Sequence, residues 1–474
     1  MNTIIPSSEN DGVLHVVVFP WLAMGHILPF FDLASRVAQR GHKVTFITTP
    51  RNLQTLLQIS PSLFPPPPTL SLLTFPLSPV PSLPQNAESS TDIIPDQAPL
   101  LKIAFDSLQP SLSYFLQTSK PDWIIYDYAS HWLPPLAVSL CIARAFLSLF
   151  TAASLSFFGP PSLLLAGGDR SMPEDFAVVP PWVPFQTDVV YRYHEIAKSF
   201  EVSELAGLET GASDLIRFGV AISESDVVFI RSRIEFEPDW FHLLDRLYSK
   251  PAFPVGFLPP SRPRENEDQN WIVIKEWLDQ HRVDSVVYVA LGTESSPSQE
   301  QITELALGLE TSQLPFFWVL RRPPGSTRTE SEMLPTGFEE RNRSRGMIHK
   351  GWAPQVKILS HSSVGGFLTH CGWNSVVEGL SFGRVLILLP LLNDQGLNSR
   401  LLKGKGVGVE INRDERSGRF TRDSVAESLR FALVEKEGES LRTAAKEMEG
   451  LFGDREENDS YIDSFVRYLE NHRR

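Results

Sequence analysis

Apolar residues in this chain fall into short, nearly unbroken runs separated by stretches of helical spacing, a pattern that predicts parallel strands covered by helices. In the first half, LHVVVF reads as a strand, HILPFFDLASRVAQRG as an amphipathic helix closed by Gly41, and HKVTFIT as the next strand. The stretch PSLFPPPPTLSLLTFPLSPVPSLPQNAESS cannot be helical through its prolines and is expected to be loop, with one strand at LSLLTF. DWIIYDYA and RAFLSLF are expected as two further strands with a helix between them. The apolar run CIARAFLSLFTAASLSFFGPPSLLLAG is too broken by Arg144, Gly and Pro for a membrane span and reads as core strand plus helix. From Gly167 to Arg217, a segment containing VVPPWVPF reads as an insertion that walls a pocket.

At PPSRPRENEDQN the composition turns to Pro and charge, which marks an exposed linker. A second alternation follows: NWIVIKEWLDQH as helix, SVVYVALG as strand, QEQITELALGLETS as amphipathic helix, PFFWVLR as strand, then MIHKGW. A chain of 474 residues exceeds one compact core. The fold class is therefore α/β, with two Rossmann-like domains facing across a cleft. The expected boundaries are a first unit over 1–250, a linker over 251–270, a second unit over 271–455 and a last helix over 456–474, near YIDSFVRYLENHR. The charged run GDREEND reads as a solvated loop.

The formal charge of −13 argues against a nucleic-acid partner or an anionic membrane surface, both of which need a basic patch. Only Cys141 and Cys371 are present, without metal-ligand spacing, so the chain reads as cytoplasmic with free thiols at buried small-residue positions. MNTIIPSSENDG lacks the basic and apolar regions of a secretory signal.

The densest chemistry lies in WAPQVKILSHSSVGGFLTHCGWNSVVEGLSFGRVLILLPLLNDQ, from Trp352 to Gln395. VGGFLTH reads as a buried strand, CGWNS as a tight turn and SVVEGL as a helix start, so backbone N–H groups and the helix dipole converge on an anion near Asn374 and Ser375. A diphosphate suits that place. Glu378, one turn further on, can accept from ribose hydroxyls, Trp352 offers a flat face for uracil, and His370 can donate to a phosphate oxygen. Asp394 and Gln395 follow the strand RVLILLPLL, at a carboxyl edge where open α/β sheets bind ligands, and their polar groups suit sugar hydroxyls.

This segment resembles the signature of plant UDP-dependent glycosyltransferases, from WAPQ through HCGWNS and the glutamate to the closing DQ. The resemblance extends over nearly the whole chain and implies the GT-B arrangement: a first domain that binds the acceptor, a second that binds the UDP-sugar, and a last helix returning to the first. It implies Trp352, Ala353 and Gln355 around uracil and ribose, Glu378 on the ribose, and His370, Asn374 and Ser375 on the diphosphate. Trp373, Asp394 and Gln395 are implied on the sugar. Thr293 and Thr151 match positions that contact the diphosphate and the sugar, although many relatives have Ser where Thr293 stands. Val385 also departs from the pattern, which commonly has proline there.

A base for the acceptor is sought in the first domain. His26 follows the first strand, and Asp127 in WIIYDYAS follows another strand at the same edge, so the two form a candidate dyad. The resemblance places its catalytic histidine and activating aspartate at the same positions. His131, four residues beyond Asp127, is a competing partner, while His15, His42 and His361 stand outside any constellation. With no Asp-x-Asp triplet and a helix terminus for the diphosphate, no metal is expected; the UDP-sugar is a co-substrate and there is no cofactor.

In the superfamily that the chain resembles, a glutamine at Gln395 is associated with glucose donors, which implies UDP-glucose, with UDP-rhamnose and UDP-xylose as alternatives. FPWLAMGHILPF, PDWIIYDYASHWLP, RFGVAISESDVVFIRS and LNDQGLNSRLL resemble plant UDP-glycosyltransferase family 91, several of whose members extend a sugar already carried by a flavonoid or terpenoid. Direct transfer to a small phenolic or enolic hydroxyl is the other reading of the small-molecule acceptor. The aromatic, proline-rich run from Phe157 to Phe185 suits a flat acceptor and equally an ordinary domain wall. A nucleotide-sugar binder without transfer activity is a different class, disfavoured by the dyad. A dehydrogenase is disfavoured further, since no G-x-G-x-x-G follows the first strand.

Overall fold

The computed structural model describes residues 12–59, 64–197, 200, 212–260, 269–322 and 328–474. Its first sheet comprises β1 (His15–Phe19), β2 (Lys43–Thr48), β3 (Leu70–Thr74), β4 (Trp123–Tyr126), β5 (Ala143–Ser148), β6 (Val227–Ile230) and β7 (Ala252–Pro254), in the order β3-β2-β1-β4-β5-β6-β7. The second comprises β8 (Val286–Ala290), β9 (Phe316–Leu320), β10 (Gly346–Lys350), β11 (Val364–Thr369), β12 (Val385–Leu388) and β13 (Gly408–Glu410), in the order β10-β9-β8-β11-β12-β13. Every strand pair is parallel. The central strands β4, β5, β6, β8, β9 and β12 are buried at every residue, because helices cover both faces.

Both sheets are doubly wound, with the direction of chain order reversing between β1 and β4 in one and between β8 and β11 in the other. At such a switch point the loops leaving adjacent strands diverge to opposite faces and open a crevice at the carboxyl edge. Residues just past β1, β4, β8 and β11 are therefore those the topology offers to a ligand.

The helix expected after the first strand spans Met24–Gln39, and the one after β8 spans Gln299–Ser312. Three expectations need correction. β7 belongs to the first sheet, so that unit runs past residue 250 into the stretch assigned to the linker, and residues 261–268 of that linker lie outside the described residues. GDREEND is not a loop: Gly453 ends the helix Glu439–Gly453, and Asp454 caps the helix Arg455–Asn471 by accepting from Glu457 N–H. Acidic side chains in a first helical turn complement its dipole, which is why a charged run can be helical here. Cys371 is buried, but Cys141 is exposed in the tight turn before β5, at φ 56°.

The helix Arg455–Asn471 lies on the first unit. It buries Ile462, Phe465, Val466 and Leu469 in that unit's core, the Trp123 indole donates to the Leu469 carbonyl at 3.0 Å, and Arg36 pairs with Asp459 at 2.6 Å. Among the described residues no helix is long and apolar enough to cross a membrane. Residues 198–199 and 201–211 of the expected insertion lie outside the described residues.

Candidate active site

His26 lies in the first turn of the helix after β1, and Asp127 immediately follows β4, so the first switch point brings them together. Nδ1 of His26 stands 2.7 Å from Oδ2 of Asp127. The same Oδ2 accepts from Trp21 N–H at 3.1 Å, and Oδ1 accepts from Tyr128 N–H at 2.8 Å. A carboxylate holding two backbone donors remains an acceptor, so the proton of a neutral His26 belongs on Nδ1 and Nε2 keeps its lone pair. Asp127 is 1% exposed in its side chain and His26 19%, so the carboxylate is sealed while the ring borders the cleft. Burial works against the imidazolium, but the charge and hydrogen bond of Asp127, with smaller help from Glu294 and Asp394, raise the pKa of His26 above its ordinary value.

His131 does not compete for Asp127. Its Nδ1 faces Asp106 at 3.9 Å, and Asp106 is held by the buried guanidinium of Arg217 at 2.5 Å. Beside His26, Tyr128 and Phe150 each have ring centroids 6.1 Å away, and Phe218 stacks on Tyr128 at 4.5 Å. Phe158 closes this aromatic group against Phe150 and Phe218. Of the Phe157–Phe185 run, Phe157, Phe176 and Trp182 instead surround the Arg170 guanidinium and form a domain wall.

The second switch point holds the signature. The helix after β11 spans Trp373–Leu380, two residues earlier than the sequence pattern gives, which puts Asn374 and Ser375 in its first turn. His370 is gripped between two glycines: a Cβ on Gly292, at φ 79°, or on Gly372 would lie 2.5 Å from its Nε2. Burial lowers the His370 pKa to about 4, so the ring is neutral, and its buried Nδ1 has no hydrogen-bond partner among the described residues. Thr293 is half-buried beside Gly292, in the loop that leaves β8.

Gln355 organises the polar group around Glu378. Its amide donates to Glu378 at 2.7 Å and to Ser375 at 3.2 Å, and its carbonyl accepts from the Tyr288 hydroxyl at 3.0 Å. Burial, only partly offset by Gln355 and Arg231, raises the Glu378 pKa. Ala353 is buried behind this group, whereas Trp352 is 46% exposed, with Arg321 lying 4.9 Å from its ring centroid. Asp394 accepts from Asn398 at 2.9 Å, and burial pushes its pKa up to about 6. The Gln395 carbonyl accepts from Leu391 and Leu392 N–H, which leaves its amide N–H groups to offer a ligand.

Two residues expected on the sugar have their side chains engaged within the protein. Trp373 is buried among Phe236, Phe257 and Phe452, its indole donating to the Arg231 carbonyl at 2.8 Å, because a large apolar ring at a helix start packs into the core between the units. Thr151 is fully buried and caps the helix Ala152–Phe158 by accepting from Ser154 N–H at 3.0 Å.

The two units meet at these edges. Asn374 donates to the Gly25 carbonyl at 2.8 Å, Ser90 donates to Glu294 at 2.6 Å, and Arg400 holds Glu195 in a two-pronged pair at 2.6 Å. Arg231, Glu294, Tyr288, Phe150 and Asn398 escaped the reading of the sequence. Arg231 and Glu294 follow strands at carboxyl edges, the same signal that picks out His26 and Asp127.

Residues 267–436 match the family model described as UDP-glucoronosyl and UDP-glucosyl transferase. The chain is 55% identical over 464 residues to UDP-glycosyltransferase 91C1 of Arabidopsis thaliana, covering 98% of each chain. It belongs to the plant UDP-glycosyltransferases of family 91. Soyasaponin III rhamnosyltransferase of Glycine max is 42% identical, with 98% of this chain and 97% of that one covered. Among solved structures, UGT73P12 of Glycyrrhiza uralensis superposes with a TM-score of 0.78 at 23% identity, over 97% of this chain and 96% of that one. The fold is thus GT-B, and the two facing switch points of this glycosyltransferase are the two sides of its cleft.

Proposed function

We propose that this glycosyltransferase transfers glucose from UDP-glucose, with inversion, to a hydroxyl of a plant secondary metabolite or its glycoside, His26 acting as general base. The observation that carries this reading is the His26–Asp127 contact of 2.7 Å on a carboxylate already holding two backbone N–H groups. Nε2 takes the acceptor's hydroxyl proton as its oxygen bonds to the anomeric carbon, and the bond from that carbon to the diphosphate breaks, releasing UDP from the opposite face. Asp127 orients the ring and offsets the charge it gains. In the second unit, Trp352 and the Gln355–Glu378 pair face the nucleoside, the helix start at Asn374 and Ser375 with His370 and Thr293 faces the diphosphate, and Asp394 and Gln395 face the sugar.

The aromatic group of Tyr128, Phe150, Phe158 and Phe218 beside His26 favours a flat apolar acceptor, so direct transfer to a phenolic or enolic aglycone is the second reading. The name of the soybean relative supports a rhamnose donor as the alternative to glucose. A mass-spectrometric assay decides. Purified protein in chelator is given UDP-glucose, UDP-rhamnose or UDP-xylose with a panel of aglycones and their monoglucosides. Mass gain on monoglucosides alone establishes sugar extension, and gain on aglycones establishes the second reading. UDP binding with no transfer to any acceptor would leave a nucleotide-sugar binder.

A further inference from the structure

Arg231 is the first residue after β6, on the first unit, yet one arm of its side chain reaches the second. Nε donates to the Phe257 carbonyl at 2.7 Å, and Nη2 reaches the Leu258 carbonyl at 3.4 Å. Nη1 donates across the cleft to Oδ1 of Asn374, and the Arg231 carbonyl accepts the Trp373 indole N–H at 2.8 Å. Arg231 is 4% exposed, and none of the three direct partners of its guanidinium is a carboxylate. A buried arginine is ordinarily matched by an acid in contact, as Arg217 is by Asp106 and Arg400 by Glu195 in this same molecule. Here burial lowers the pKa to about 10, the charges of Glu378 and Asp32 acting against that fall. The side chain remains a cation.

This charge, with no carboxylate in direct contact, stands at the positive end of the helix Trp373–Leu380. Cation and helix dipole reinforce each other there, an arrangement that is unfavourable by itself and becomes favourable when a dianion arrives. Arg231 also settles the Asn374 amide. A guanidinium only donates, so Oδ1 must face it and Nδ2 must face the carbonyl of Gly25, next to His26.

We propose that Arg231 is a positioning residue for the donor: from the acceptor-side unit it fixes the Asn374 amide and adds positive potential at the diphosphate, which makes UDP binding and UDP departure depend on the two units being in register. It acts through Asn374 and the field, without bonding to the reacting atoms. The inference rests on Asn374 belonging to the diphosphate cradle.

The test compares UDP with uridine, which has the same base and ribose but no phosphate charge. Binding of each is measured calorimetrically on the wild type, Arg231→Lys, Arg231→Met and Asn374→Ala, with thermal melting to verify folding. Loss of a charge-assisted contact at a buried anion site is expected to weaken UDP about ten- to a hundredfold in Arg231→Met while leaving uridine within about twofold. Arg231→Lys should recover part of the UDP preference, and if the Met variant does not fold, this variant alone decides. A double variant combining Arg231→Met with Asn374→Ala should lose less than the product of the single losses, because both side chains act as one unit. Equal weakening of UDP and uridine, or an unchanged preference for UDP, overturns the inference. A wild type that binds uridine as tightly as UDP would instead overturn the cradle on which it rests.

Discussion

The two switch points share one topology and hold opposite chemistry. Past β1 and β4 stands a histidine raised in pKa by a sealed carboxylate, with aromatic rings beside it. Past β8 and β11 stands a neutral histidine wedged between glycines, with a helix terminus and small polar groups around it. On the proposed function the first moves a proton and therefore needs a group with two protonation states near neutrality. The second, on the same proposal, holds an anion still and therefore needs donors that do not change. Doubly wound topology supplies two crevices, and local side chains decide which does chemistry and which does binding.

The sharpest way to break this comparison is His26→Ala. Transfer should fall by about 10²–10⁴ in kcat, the usual worth of general-base assistance, while calorimetric UDP affinity stays at the wild-type value. Loss of UDP affinity in this variant would mean that the two crevices do not divide the work.

Asp127→Asn comes next in size. An amide has one acceptor oxygen where the carboxylate serves three donors. An NH₂ placed at Oδ1 opposes Tyr128 N–H, and one placed at Oδ2 opposes Trp21 N–H and pushes the His26 proton onto Nε2. Either outcome costs about 1–3 kcal/mol for an unpaired buried donor and removes much of the base. In the wild type kcat should fall as pH drops through the raised pKa of His26, since the protonated ring cannot accept a proton. Without the Asp127 charge the burial that lowers this pKa is opposed only by the smaller effects of Glu294 and Asp394, so the acid limb of kcat should move to lower pH. The donor KM should instead worsen below about pH 6, where Asp394 gains a proton. Profiles of kcat and KM over pH check both, and an acid limb of kcat that does not move would contradict the pairing.

The comparison also explains what could be read from the chain. Apart from β8 and the loop that leaves it, the second crevice lies within one continuous segment, Trp352 to Gln395, so strand, turn and helix signals act together. The first is scattered: His26 and Asp127 are a hundred residues apart, and only the parallel-strand pattern joins them. At Trp373 and Thr151 the motif names residues without saying whether a side chain faces the cleft or the core. Helix capping claimed the hydroxyl of one and interdomain packing the ring of the other. Arg231 and Glu294 escaped notice because their partners Asn374 and Ser90 lie across the cleft, a juxtaposition that exists only once the two units face each other.

Trp352→Ala sharpens the comparison from the binding side. Its exposed ring, with Arg321 on one face, is placed to stack a base, a contact worth about 1–3 kcal/mol. UDP and uridine should both weaken by about ten- to a hundredfold, in contrast to Arg231→Met. Because the nucleoside is equally bound before and at the transition state, kcat at saturating donor should hold, whereas an equal fall in kcat would place Trp352 in the chemistry.

The smallest expected effect is at Thr293, and it tests whether the second crevice works through hydrogen bonds or through shape. The residue is half-buried in the loop after β8, beside the glycine against which His370 is held. Thr293→Ser removes one methyl and keeps the hydroxyl, so donor KM and kcat should each stay within about twofold, the range of a benign substitution. Thr293→Val keeps the shape and removes the hydroxyl, which should raise donor KM about tenfold by the loss of one hydrogen bond to a charged group. The reverse ranking, with Ser harmful and Val benign, would mean that the methyl packs the His370 loop and that the anion is held by the helix start and the Arg231 field alone.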